Sequence, residues 1–198
     1  GNSNLSELLF VNLPRDEAFS YLQQAAKYNA KCAFYYGLCL RNGVNVPKND
    51  KEAFRYITSS FKDGFKQKAA AILGLYYLKP DVDIDDNPIP EPVAEKNAPL
   101  AFNLFTESVS YNDAFGMNCL GYCYYTEKGL YSNQMQTETL NAESLESSTM
   151  KNAIHYLKSA YDKEEPSGVN NYAVAMFEGR LRGEGPYNSV PLFIKSAK

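Results

Sequence analysis

Two short patterns of apolar and polar residues recur along the chain. The first is Glu17-Ala18-Phe19-Ser20-Tyr21-Leu22, repeated as Glu52-Ala53-Phe54-Arg55-Tyr56-Ile57, Leu100-Ala101-Phe102-Asn103-Leu104-Phe105 and Asn152-Ala153-Ile154-His155-Tyr156-Leu157. Ala18, Leu22, Ala25 and Ala26 share one face at helical spacing, with Phe19 and Tyr21 flanking it. The second pattern follows some twenty residues after each Ala. Ala33, Tyr36, Gly37 and Leu40 fall at offsets 0, 3, 4 and 7, one stripe of a helix. Ala70/Leu73/Gly74/Tyr77, Met117/Leu120/Gly121/Tyr124 and Val169/Tyr172/Ala173/Met176 repeat it. A mid-helix Gly costs about 1 kcal/mol relative to Ala. Its return at one position predicts close approach of a neighbouring helix, with Ala173 as the small substitute.

Each unit therefore reads as helix, short turn, second helix and longer loop. Asp16, Asp50 and Asn97 stand where an N-cap would accept the first free amides. Spacing between the marker Ala residues is uneven: 35 residues from Ala18 to Ala53, 48 to Ala101 and 52 to Ala153. A fifth, truncated copy starts at Val190, where Phe193-Ile194-Lys195-Ser196-Ala197 matches Tyr156-Leu157-Lys158-Ser159-Ala160. A unit that cannot bury its own apolar face must stack on its neighbours. The expected fold is all-α, a right-handed α-α superhelix of about four helix-turn-helix repeats. All 198 residues form one repeat domain, with units at about 16–50, 50–97, 98–150 and 151–189 and a start at 190–198.

The frame Ala-x-x-Leu-Gly-x-x-Tyr, carried in full by Ala70, Leu73, Gly74 and Tyr77, resembles the Sel-one-like repeat, a relative of the tetratricopeptide repeat. Gly43, Val46, Asn49 and Ala53 match the loop into the next unit. The chain departs from the pattern at Asn45, where Gly is usual, at Lys79-Pro80 and in two long insertions. The resemblance implies a non-catalytic protein-binding scaffold in which the first helices of successive repeats line a concave groove.

The insertions differ in character. Residues 79–97 carry Asp81, Asp83, Asp85, Asp86, Glu91 and Glu95 among four prolines, which excludes helix and central strand. The acidic spacing approaches a calcium loop, but the glycine and terminal Glu of an EF-hand are missing, so a solvated acidic loop is expected. Residues 130–150 are rich in Ser, Thr, Asn and Glu, and are either mobile or add a short helix near Glu138–Glu146.

Composition narrows function. A net charge of −3 with no block of Lys or Arg argues against nucleic acid as the main partner. No run approaches a membrane span. The N-terminus lacks a basic region and an apolar signal core, although a removed signal peptide stays open. Sixteen Tyr and no Trp follow largely from repetition, since several Tyr occupy equivalent positions. Cys32, Cys39, Cys119 and Cys123 lack zinc spacing and read as buried, reduced small hydrophobes, which fits a reducing compartment, with a periplasmic or secreted setting left open. His155, the single histidine, aligns with Ser20, Arg55 and Asn103 and should face solvent. Gly179, Gly183 and Gly185 form a turn without the Lys-Ser/Thr of a P-loop. No catalytic constellation, metal set or cofactor motif is found, so the chain is read as a monomer binding a protein or peptide, and not as an enzyme.

The candidate binding residues lie on a second stripe of each second helix. It runs through Phe34, Leu38 and Arg41, then Ala71, Leu75 and Leu78, then Asn118, Tyr122 and Tyr125, then Asn170, Val174 and Phe177. This largely apolar stripe suits an extended or helical peptide. Packing on neighbouring repeats is the competing explanation. The alternative function is an inhibitor or immunity protein that blocks a toxin or enzyme, with the acidic 81–95 loop plugging a basic site.

Overall fold

A computed structural model describes residues 15–126 and 142–177. The proposed fifth copy and residues 130–141 of the second insertion lie outside the described residues. Among the described residues eight helices alternate as first and second members of each repeat: α1 (Arg15–Ala25), α2 (Ala30–Asn42), α3 (Asp50–Lys62), α4 (Lys66–Leu78), α5 (Ala98–Ser110), α6 (Ala114–Tyr125), α7 (Ala142–Asp162) and α8 (Pro166–Phe177). The described residues form no strand; an isolated bridge joins Val82 and Pro88. They group into two units, residues 15–69 with 81–93, and residues 70–80 with 94–126 and 142–177.

In the first unit α2 packs on α1 and α3. Asn29 caps α2, its side chain accepting from the Cys32 amide at 3.0 Å. Gly43 ends α2 in the left-handed conformation (φ 69°), and Asn45 follows at φ 60°. Asn tolerates that region better than other residues with a side chain, so the departure from Gly keeps the turn. Asn49 caps α3, accepting from the Glu52 amide at 3.0 Å. Asp50 is thus the first helical residue and not the cap, which corrects the sequence expectation: one residue further on, it places a favourable negative charge in the first turn. Similarly, α1 begins at Arg15, one residue before Asp16.

Residues 81–93 of the acidic insertion belong to this unit and are folded. Asp83 Oδ1 accepts from the amides of Asp85 and Asn87, both at 2.9 Å. Lys48 Nζ donates to Asp83 at 3.1 Å and to Asp85. The ammonium stands where the calcium-like spacing would want a cation. The Asn87 backbone donor first, then Lys48 and the Asp85 amide, hold the Asp83 carboxyl at about 2, below its ordinary 3.8.

In the second unit α6 packs on α5, α7 and α8, and α8 on α7. Leu78, Ala101, Phe105, Cys119, Leu120 and Cys123 form one buried cluster, and Leu157, Tyr172, Ala175 and Met176 another. Phe105 is fully buried, a contribution of about 1.5–3 kcal/mol for such a side chain. Asn97 caps α5, accepting from the Leu100 amide at 2.9 Å, as expected. Asp113 caps α6, accepting from the Gly116 amide at 2.8 Å and the Ser108 hydroxyl at 3.1 Å. The last part of the second insertion adds no separate helix among the described residues: α7 starts at Ala142 and runs unbroken through the fourth marker Ala, Ala153.

Tight helix contacts centre on the recurring glycines. A Cβ on Gly37 would lie 2.7 Å from Ile57 Cγ1. One on Gly74 would overlap the ring of Phe105, and one on Gly121 would lie 2.9 Å from both Leu157 Cγ and the Leu157 backbone nitrogen. Ile57, Phe105 and Leu157 each stand four residues after the marker Ala of the following first helix. Within repeats, Gly116 meets Ser108, and Gly168 meets Ala160 with 2.6 Å to its Cβ. This second class of close approach has a sequence signature as well, five residues before Gly121 and Ala173.

Candidate functional site

Two faces of the second helices and first helices compete as binding surfaces, and each unit presents its own. On the predicted second-helix stripe of the first unit, Phe34 is buried, edge-on to Tyr35 at 5.4 Å and tilted against Phe65 at 5.3 Å. Leu38 and Arg41 are half-buried.

In the second unit the same stripe divides. Leu78 and Ala71 are buried, and Leu75 leans on the Phe105 cluster. Asn118 is 5% exposed, and its Oδ1 accepts from Asn171 Nδ2 on α8 at 2.8 Å. Tyr125 packs against the Leu157–Met176 cluster. Tyr122 and Val174 are half-buried, whereas Asn170 and Phe177 are exposed. Phe34, Leu78 and Asn118 therefore offer little surface to a partner. Their burial corrects that part of the expectation: Phe34 is covered by Tyr35 and Phe65, Leu78 joins the Phe105 cluster, and Asn118 is tied to α8 through Asn171.

The resemblance implies a groove lined by first helices, whereas the candidate residues chosen from the sequence lie on the second helices. In the first unit Phe19 lies 5.7 Å from Tyr36, and Tyr36 meets Tyr56 edge-on at 4.8 Å. Gln23 Nε2 donates to the Tyr36 hydroxyl at 3.0 Å. Burial pushes the Tyr36 phenol up. The Arg55 guanidinium sits 4.5 Å over the Tyr56 ring and donates to Glu52 at 2.9 Å.

The second unit repeats this arrangement with its own residues. Phe102 meets Tyr124 edge-on at 5.3 Å, and Tyr124 stacks on Tyr156 at 5.9 Å with 9° between planes. His155 stands edge-on to Tyr156 at 5.0 Å and is exposed, as its alignment with polar residues required. Phe102, Tyr124 and Tyr156 are half-buried, so their rims reach solvent. Burial, then the neighbouring Tyr156, raises the Tyr124 phenol. The outer rings of each row stand one and three positions after a marker Ala, as Phe102 and Tyr156 do, and the central Tyr36 and Tyr124 belong to the glycine-bearing stripe of the second helices.

Other candidates carry less chemistry. Cys119 and Cys123 are buried in the core, and burial pushes up the thiols of half-buried Cys32 and Cys39. None of the described residues group as a metal site. No described helix is long and apolar enough to cross a membrane.

No protein-family model matches the chain, and no curated protein matches it. Solved structures do. A Sel1 repeat protein from Oxalobacter formigenes aligns with a TM-score of 0.65 at 18% identity, over 92% of this chain and 62% of that one. The antigen c5321, described as a protective antigen of uropathogenic Escherichia coli strains with an SLR fold, aligns with a TM-score of 0.62 at 19% identity, over 98% of this chain and 37% of its own. The chain thus spans less than two thirds of either protein. Together with the eight alternating helices and the glycine register, these likenesses show that the chain has the Sel1-like repeat fold, the all-α repeat architecture that its sequence resembles.

Proposed function

We propose that this chain is a non-catalytic module that binds a protein or peptide, and that in the second unit the partner lies across the first-helix face. The observation that carries the reading is the half-exposed aromatic row Phe102–Tyr124–Tyr156, joined by ring contacts and rimmed by exposed Asn103 and His155. Rigid rings offer large contact area at low entropic cost, which is why aromatic residues dominate binding hot spots. The resemblance to Sel-one-like repeats supports the same face, because first helices line the groove in that family.

The predicted second-helix residues are the rivals: Leu75, Tyr122, Tyr125, Asn170 and Phe177 in the second unit and, separately, Leu38 with Arg41 in the first. Of these, Asn170 and Phe177 are exposed and the others, Tyr122 among them, are half-buried. Affinity capture followed by mass spectrometry, run in parallel on two variants, separates the surfaces. Tyr156→Ala with His155→Ala should lose the partner, with helicity and melting nearly kept. Tyr122→Ala should retain it. The reverse result would move the site to the second helices.

A specific observation also favours an inhibitor: Lys48 ties the 81–93 insertion to its own unit through Asp83 and Asp85, which lowers the cost of ordering it against a partner. Deleting residues 81–93 should leave capture intact on the proposed reading and abolish it on this one.

A further inference from the structure

The first helices of the second unit differ in charge. The exposed positions at −2, +2 and +5 from the marker Ala are Pro99, Asn103 and Thr106 on α5. At the same positions α7 carries Lys151, His155 and Lys158, all exposed. Offsets of four and seven residues place these three on one stripe of the helix. Among side chains described on the two helices, the acids are Glu107, half-buried on α5, and Asp162, which accepts from Lys158 at 2.9 Å. The chain as a whole is negative, at −3. The two lysines therefore make a local positive stripe with His155 between them, and His155 borders the ring of Tyr156, which stacks on Tyr124.

Resting on the binding face proposed above, we infer that its partner is an acidic peptide segment with an aromatic or large apolar side chain. The carboxylates would lie along Lys151, His155 and Lys158, and the apolar side chain against Tyr156 and Phe102. Charge complementarity of this kind steers encounter and rejects basic sequences. An aromatic anchor supplies the contact that survives added salt.

Fluorescence anisotropy with three labelled peptides of equal length tests this on the full chain. One is Glu-rich with a central Phe, one Gln-rich with the same Phe, and one Lys-rich with the same Phe. The Glu peptide should bind best and the Lys peptide not at all. Lys151→Glu with Lys158→Glu should weaken the Glu peptide about tenfold, and so should raising salt from ~0.05 to ~0.5 M. Circular dichroism of each variant controls for folding. Equal binding of the Glu and Gln peptides, unaffected by charge reversal but weakened by Tyr156→Ala, would overturn the acidic preference while leaving the face in place. Indifference of every peptide to Tyr156→Ala would instead remove the face itself. Stronger binding of a single-stranded oligonucleotide than of the Glu peptide would also overturn the inference.

Discussion

Gly37, Gly74 and Gly121 carry more structural information than any other residues here. Each spends helix propensity, about 1 kcal/mol against Ala, to let the helix that follows come close. Their neighbours Ile57, Phe105 and Leu157 hold one register, so a glycine in one repeat and the residue four after the marker Ala in the next act as a pair. At Gly121 an added methyl meets the backbone nitrogen of Leu157, which cannot turn away as a side chain tip could. Gly121→Ala should therefore destabilise despite its propensity gain, because overpacking typically costs about 1–3 kcal/mol. Gly74→Leu should cost more, since it also displaces the buried Phe105 ring. Thermal melting checks both, at about 2–4 °C for each kcal/mol in a chain of this size. A melting point equal to or above that of the parent would show that the close approach is absent. These positions were legible because a costly residue recurring at one offset demands a packing reason. The within-repeat contacts of Gly116 and Gly168 were less legible, because the equivalent sites in earlier repeats are Cys32 and Ala69.

Among the elements, helices were easier to read than the segments between them. Periodicity located the repeat's two helices, but their ends depended on single side chains: Asn49 outcompeted Asp50 as cap because its side chain reaches the Glu52 amide. The acidic insertion was correctly excluded from helix and strand by its prolines, yet its internal order was invisible, because Lys48 lies 35 residues from Asp83 in sequence. That contact makes a pH prediction. Asp83 is depressed to about 2 from 3.8, so its contribution is complete above 3.8 and is lost as pH falls through 2. The Lys48 ammonium is raised by Asp85 and then Asp83, so its contribution persists below its ordinary range and is lost only above it. The Asn87 amide, followed by NMR, should thus hold its native shift near pH 4 and move as pH approaches 2. Lys48→Met should bring Asp83 only part of the way to 3.8, since the Asn87 backbone is the larger cause. A wild-type midpoint near 3.8 would mean that the carboxylate is not engaged.

For the whole molecule, the fold followed from repetition, but the binding face did not. Two stripes of each second helix are apolar, and sequence alone cannot say which neighbour covers the second. The Asn118–Asn171 hydrogen bond and the burial of Phe34 and Leu78 cover part of the second stripe, and the proposal turns instead on the aromatic row Phe102–Tyr124–Tyr156, shared by α5, α6 and α7. The direct test is amide hydrogen exchange of the full chain, alone and with its captured partner. Protection gained along α5 and α7, around Phe102 and Tyr156, is the predicted result. Protection confined to residues 81–93, or to the Tyr122 and Phe177 ends of α6 and α8, would contradict it.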